Sequence, residues 1–210
     1  MKKIFLALTI YCMTINLGFS QQNQSTHNMK TALLLIDIQN DYFENGTMTL
    51  VGSDKASENA RLVLDKFRAD GLTIVHIQHI ATNPAATFFL PDTKGAEIHN
   101  NVKPLKQEKV IIKHYPNSFR ETELLNYLKD NNITNLVVCG MMTHMCVDAT
   151  VRAAKDFGFN IVLIGDACAT KDLEINGQKV IAKDVQNSFL AALNYFYATV
   201  KTTEQYLNSK

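Results

Sequence analysis

The chain has 210 residues, 46% of them hydrophobic and 20% charged, with a formal net charge of +1. These values suit one compact domain with its own core and exclude a disordered or fibrous protein. The balanced charge also argues against nucleic acid or an anionic membrane as the main partner.

The start, MKKIFLALTIYCMTINLGFS, pairs Lys2 and Lys3 with an apolar run and closes on the small residues Gly18 and Ser20. That is the pattern of a cleavable secretory leader. Residues 1–20 are therefore predicted to be a signal peptide, 21–30 a disordered linker and 31–205 a single domain. A periplasmic or secreted protein follows, with no membrane contact after cleavage. The residues before Cys12 are not the small ones of a lipid-attachment site, and the apolar run is short and interrupted for a membrane span. Cleavage removes two lysines and no acids, so +1 minus 2 gives −1 for the mature chain. Cys139, Cys146 and Cys168 remain, an odd count unlike a disulfide scaffold.

Thr31 to Ile38, TALLLIDI, is a nearly continuous apolar run of strand length, as in a parallel strand covered on both faces. SENARLVLDKFRADG places Ala60, Val63, Leu64 and Phe67 at helical spacing and stops at Gly71, the pattern of an amphipathic helix. LTIVHIQHI is a second predicted strand and KVIIKHY a third. Between them, ATNPAATFFLPDTKGAEIHNNVKPL carries three of the four prolines and Phe88–Phe89, so it reads as a structured lid and not a flexible linker. ETELLNYLKDNN is helical, and NLVVCG is a fourth strand. A helix is predicted from about His144 to Phe157, stopped by Gly158. NIVLIGDA is a fifth strand, AKDVQNSFLAALNYF a long helix and YATVKT a short sixth strand. This alternation implies a parallel sheet with helices on both faces, and ligands in such sheets bind beyond the carboxyl ends of the strands.

Three reactive groups fall at those ends: Asp37 after the first strand, Lys113 after the third and Cys146 just past the fourth. A buried carboxylate or ammonium is costly unless paired. The two therefore form a structural ion pair, point to solvent or serve a site. With Thr143 as N-cap, Cys146 falls at the third helical position, where orphan N–H groups and the helix dipole favour a thiolate. The competing reading is a small packed residue in the first turn. Cys139 and Cys168 read as buried thiols, and the spacing of Cys139 and Cys146 is unlike the Cys-x-x-Cys of redox pairs. His76 and His79 stand three apart in a strand, on opposite faces, and cannot easily share one metal. No metal is predicted. His144 is either a site residue or a solvated residue at a helix start.

LLLIDIQNDY, VIIKHYPNSF, GMMTHMCVDATVRAAKDFGF and DACAT, in that order from Thr31 to about Tyr197, resemble the motifs of the isochorismatase-like cysteine hydrolases. That superfamily includes nicotinamidases, carbamoylsarcosine-type amidases and streptothricin hydrolase. The resemblance implies a three-layer α/β/α sandwich with a six-stranded, Rossmann-like parallel sheet of order 3-2-1-4-5-6. It also implies a homo-oligomer, a small-molecule substrate and no cofactor. By position, Cys146 is the nucleophile, Asp37 the general base and acid, and Lys113 the cation that holds both. The Met141–Met142 peptide would be cis, and the backbone N–H groups of Met142 and Cys146 would form an oxyanion hole.

The segment HIQHIATNPAATFF lacks the Asp-x-His and further His with which nicotinamidases bind metal, which disfavours metal-assisted chemistry. Retention of Cys146 favours an amide-type C–N bond over a vinyl ether. Gln39, Phe43, His79, Phe88, Phe89, Phe119 and His144 are the candidate substrate pocket. A vinyl ether hydrolase, a non-enzymatic small-molecule binding or scaffold protein and a thiol redox sensor at Cys146 are the competing functions. The implied strand order also demands that Lys113 reach across the end of the second strand, where neighbours lie ~4.8 Å apart.

Overall fold

A computed structural model describes residues 30–209. The predicted leader, and the predicted linker except its last residue, lie outside the described residues. Lys30 already belongs to the first strand, β1 (Lys30–Ile36), and order continues past the predicted domain end through a C-terminal helix, α5 (Thr203–Leu207). No helix among the described residues is long and apolar enough to cross a membrane.

β1 lies at the centre of the sheet, between β2 (Thr73–His79) and β4 (Ile133–Met141). β3 (Lys109–Lys113) flanks β2. β5 (Asn160–Ala169) flanks β4, and β8 (Thr199–Lys201) flanks β5. All five pairings are parallel, giving the order β3-β2-β1-β4-β5-β8. This is the expected 3-2-1-4-5-6 arrangement. A small antiparallel hairpin, β6 (Leu173–Ile175) with β7 (Gln178–Val180), precedes the last long helix and shifts the numbering. The sequence reading did not anticipate it.

Leu33, Leu34, Leu35 and Ile36 are each no more than 2% exposed, which explains why β1 is apolar at every position and not only at alternate ones. Leu33 and Leu35 join one core with Ala60, Val63, Leu64 and Phe67 of α1 (Ser53–Ala69). Ala32, Leu34 and Ile36 join the other with α2 (Leu124–Asp130), α3 (Asp148–Asp156) and α4 (Ala182–Phe196). Each fully buried Leu, Val or Phe contributes about 1.5–3 kcal/mol of transfer free energy.

The lid between β2 and β3 is pinned at several points. Asp41 Oδ2 accepts the Phe89 N–H at 2.6 Å, and Oδ1 accepts the Thr47 N–H at 3.3 Å. Gln39 Nε2 donates to the carbonyls of His79 (2.9 Å) and Ala96 (2.7 Å), while its Oε1 accepts the His79 N–H at 2.7 Å. Gly95 sits directly on the Asp41 carboxylate, and a Cβ there would overlap Oδ1. Gly95→Ala is therefore expected to destabilise the fold by about 1–3 kcal/mol, as overpacking does. Urea unfolding measures the loss, and limited proteolysis should show faster cleavage within residues 80–108.

At the lid's far end, Glu108, with its side chain 5% exposed, accepts Arg68 Nε at 2.7 Å, His76 Nε2 at 2.9 Å and the Leu105 N–H at 2.8 Å. Burial pushes the Glu108 carboxyl up, but Arg68, Leu105 and His76 outweigh it and hold its pKa at about 2. Burial also lowers His76, against the pull of Glu108. Both shifts have the same sign for stability. The unfolded chain binds more protons than the folded one below the ordinary histidine value, and again below the ordinary carboxylate value. The melting temperature is expected to fall as pH drops below about 6.5, and to fall further from about 4.5 towards 2. In Glu108→Gln the second limb should shrink; a pH series of thermal melts reads both.

Candidate active site

The strand ends deliver three side chains to one point. β1 stops at Ile36, two residues short of the predicted end, because Asp37 takes a left-handed conformation (φ 50°). Its N–H donates to Ile77 O at 3.1 Å, and its carboxylate is fully buried. Gly140, at φ 143°, lets β4 press against the end of β1, where a Cβ would overlap Ile36 O. That contact brings the segment after β4 alongside Asp37. Lys113, the last residue of β3, is likewise fully buried. It crosses the end of β2, as the strand order demands, and its Nζ lies 2.7 Å from Asp37 Oδ2.

The ammonium has three hydrogens, and three hydrogen bonds are present: to His79 Nδ1 (3.0 Å), Tyr115 O (3.0 Å) and Cys146 Sγ (3.2 Å). Its contact with Asp37 is a close charge pair that balances the buried carboxylate. Asp37 in turn acts on both the ammonium and the Cys146 thiol.

Cys146 departs from expectation in two ways. The helix predicted from His144 begins instead as a five-residue π turn, Thr143–Val147, which leads into α3. Such turns recur at functional sites. The N-cap is Met142, and the Thr143 hydroxyl turns away to Gln186 Oε1 (2.7 Å) and Ala169 O (3.1 Å). Cys146 is the fourth residue of the turn, not the third position of a capped helix. Nor is its thiol acidified: burial pushes its pKa up, Asp37 pushes it further, and Lys113 opposes them without prevailing. The resting group is a protonated thiol beside a buried carboxylate. For Lys113, burial acts to lower the pKa, yet Asp37 and Cys146 raise it overall, so the ammonium keeps its charge. The Met141–Met142 peptide is cis.

The pocket residues divide. Phe89 (1% exposed) stands edge-on to Tyr42 with ring centres 4.7 Å apart, 4.9 Å from Phe88 and 5.8 Å from the His79 ring. Phe88, Phe89 and His79 thus form a continuous wall leading to Lys113. Phe43 stacks on His99 at 3.7 Å and, with Phe88 and Lys94, lines a cavity of about 540 Å³. None of Asp37, Lys113 and Cys146 lines that cavity.

Three of the expected pocket residues are engaged in other contacts. Gln39 is fully buried and its amide hydrogens are taken by the His79 carbonyl at the end of β2 and the Ala96 carbonyl of the lid, so it braces the lid against the sheet. Phe119 packs into the core against Phe157 and Phe159, where the chain has already turned from β3 towards α2. His144 pairs through Nδ1 with the Thr170 hydroxyl and meets Phe189 of α4 edge-on at 6.0 Å.

Tyr42 was missed. It is 1% exposed, its ring stands 4.7 Å from that of Phe89 in the wall leading to Lys113, and burial above all pushes its hydroxyl pKa up. Its position in QNDY, five residues after Asp37, was the available signal. Cys139 and Cys168 are buried free thiols, as read, and belong to opposite cores.

Asp37, His79 and Cys146 offer metal-capable atoms within 4.8 Å of one another. Lys113 Nζ already stands within 3.2 Å of an atom of each. An ammonium therefore occupies the place a metal would take, and the set does not fit an ion while Lys113 holds this position.

A parallel α/β sheet that buries a Cys, an Asp and a Lys together at its carboxyl edge defines a class of hydrolase-like sites. A model of the isochorismatase domain matches residues 31–205, and the chain belongs to the isochorismatase family of hydrolases. The uncharacterized isochorismatase family protein YddQ of Bacillus subtilis is 52% identical over 179 residues, which cover 85% of this chain and 99% of that one. A streptothricin hydrolase of Streptomyces noursei is 37% identical over 142 residues, 68% of this chain and 55% of that one. The crystal structure of an isochorismatase from Pseudomonas putida superposes with a TM-score of 0.79 at 34% identity, covering 83% of this chain and 89% of that one.

Proposed function

We propose that the protein is a cysteine hydrolase of amide-type C–N bonds in small molecules, working through Cys146, Asp37 and Lys113. One observation carries this reading: a fully buried carboxylate and a fully buried ammonium, 2.7 Å apart, stand beside a protonated thiol that the same ammonium holds at 3.2 Å. Likeness to an enzyme that hydrolyses streptothricin supports a small-molecule substrate.

In the reaction, Cys146 Sγ attacks the carbonyl carbon while its proton passes to Asp37. The tetrahedral oxyanion is received by the backbone N–H groups of Met142 and Cys146, a stabilisation worth on the order of 3 kcal/mol per donor. The C–N bond breaks as Asp37 returns the proton to the departing nitrogen, leaving a thioester. Asp37 then takes a proton from water, whose oxygen attacks the thioester and releases the acid and the thiol. Lys113, 2.7 Å from Asp37 Oδ2 and 3.2 Å from the sulfur, balances the carboxylate's charge whenever its proton is elsewhere and fixes the sulfur's position.

The test is a trapped intermediate. The purified protein, screened against amides, ureas and lactams, is quenched in acid during turnover and digested. The acyl group is expected on the peptide that contains Cys146. Turnover with an acyl group on any other residue, or on none under conditions where a synthetic thioester survives, overturns the mechanism.

A further inference from the structure

His79 is tied to the cluster in a way that fixes its own protonation. An ammonium can only donate, so the His79 nitrogen 3.0 Å from Lys113 Nζ, Nδ1, is an acceptor. A neutral imidazole that accepts at Nδ1 carries its hydrogen on Nε2. The ring is neutral under ordinary conditions: burial, and then Lys113, lower its pKa to about 4. The bond to Lys113 is the ring's only hydrogen bond among the described residues, so the Nε2–H is unengaged. The neighbouring Phe89 ring, 5.8 Å away between centres, offers it no lone pair. A set donor thus stands against an aromatic wall, on a ring that belongs to the same 4.8 Å cluster as Asp37 and Cys146.

We propose that His79 positions Lys113 through Nδ1 and, through the Nε2–H which that bond fixes, selects amides that carry a second hydrogen-bond acceptor beside the scissile carbonyl. The proposal deepens the hydrolase reading and rests on Cys146 being the nucleophile. Its substrate class is small and planar, with two adjacent acceptors, as in a 1,2-dicarbonyl amide. A donor left without a partner discriminates strongly against an analogue that cannot accept from it.

The two ring nitrogens can be replaced one at a time. In His79→Asn the side-chain oxygen can stand in for Nδ1 towards Lys113, with nothing at Nε2. In His79→Gln the longer amide can present an N–H near Nε2, with nothing for Lys113. Oxamide and propionamide are close in size; oxamide adds a second carbonyl, and an amino group in place of a methyl, so the carbonyl is reported by the part of the preference that depends on the Nε2–H. Calorimetric titration in a Cys146→Ala background, which removes the nucleophile, is expected to give about tenfold tighter binding of oxamide, the scale of one good hydrogen bond. The Gln variant should keep that preference and the Asn variant lose it.

The positioning role is read separately, with Cys146 intact, from its alkylation by iodoacetamide. The Asn variant should match the wild-type rate and the Gln variant should depart from it several-fold. Equal affinities for the two amides, no binding of oxamide, or a preference that survives in the Asn variant would overturn the selective role. Identical alkylation of all three proteins would overturn the positioning role. Failure of the hydrolase reading is seen elsewhere, as turnover that persists without Cys146.

Discussion

Replacing Cys146 with alanine is expected to lower kcat by about 10³-fold or more on any substrate the wild type turns over, while the protein stays folded. The substitution removes only the sulfur from a side chain that is 6% exposed. Asp37, Lys113 and the backbone N–H groups of the site all remain. A role limited to packing would leave turnover near its wild-type value, and a binding or scaffold protein would show no turnover to lose. Cys146→Ser sharpens the result. Serine keeps a proton for Asp37 to accept, but its oxygen is the weaker nucleophile at neutral pH. It should recover little. Full activity in the alanine variant would sink the mechanism, and thermal melts identify any loss that comes from unfolding instead.

The second large effect falls on stability. Lys113→Met keeps the bulk of the stem and deletes the charge, leaving the Asp37 carboxylate buried without its counter-ion. Breaking one side of a buried pair costs about 3–5 kcal/mol. His79, Cys146 and the Tyr115 carbonyl lose their shared donor as well. The double variant Asp37→Asn, Lys113→Met removes both charges and should regain part of the loss, although neither variant should hydrolyse substrate. Urea unfolding of the two proteins decides the matter. A single variant as stable as the wild type would mean that the charge pair found at 2.7 Å has no energetic weight.

Much of this site could be read from the chain because its chemistry contradicts its surroundings. Asp37 and Lys113 stood out as charges inside apolar strands, and the strand ends were expected to converge. What the sequence could not carry was burial and local backbone geometry. The thiol was expected to be acidified by a helix start, but the burial that raises its pKa comes from elements distant in the chain. The π turn at Thr143–Val147 has no signature in residue type, because Thr143 is as good an N-cap as any and its hydroxyl is claimed by Gln186, far along the sequence. The lid contacts of Gln39 and the core contacts of Phe119 were hidden for a related reason: polar and aromatic residues beside a motif can serve the lid or the core as readily as a ligand. The hairpin of β6 and β7 was missed because its strands, three residues each, are too short to show an alternating pattern.

The protonated state of Cys146 bears on how the protein ages in air. Oxidants attack the thiolate far faster than the thiol, and exposure matters as much as charge. A thiol kept neutral and almost wholly covered is a slow target for peroxide. Met145, one residue away, is 41% exposed and needs no ionisation to react. Weathering of this molecule should therefore begin as sulfoxide on its surface, with the Cys146 thiol still intact.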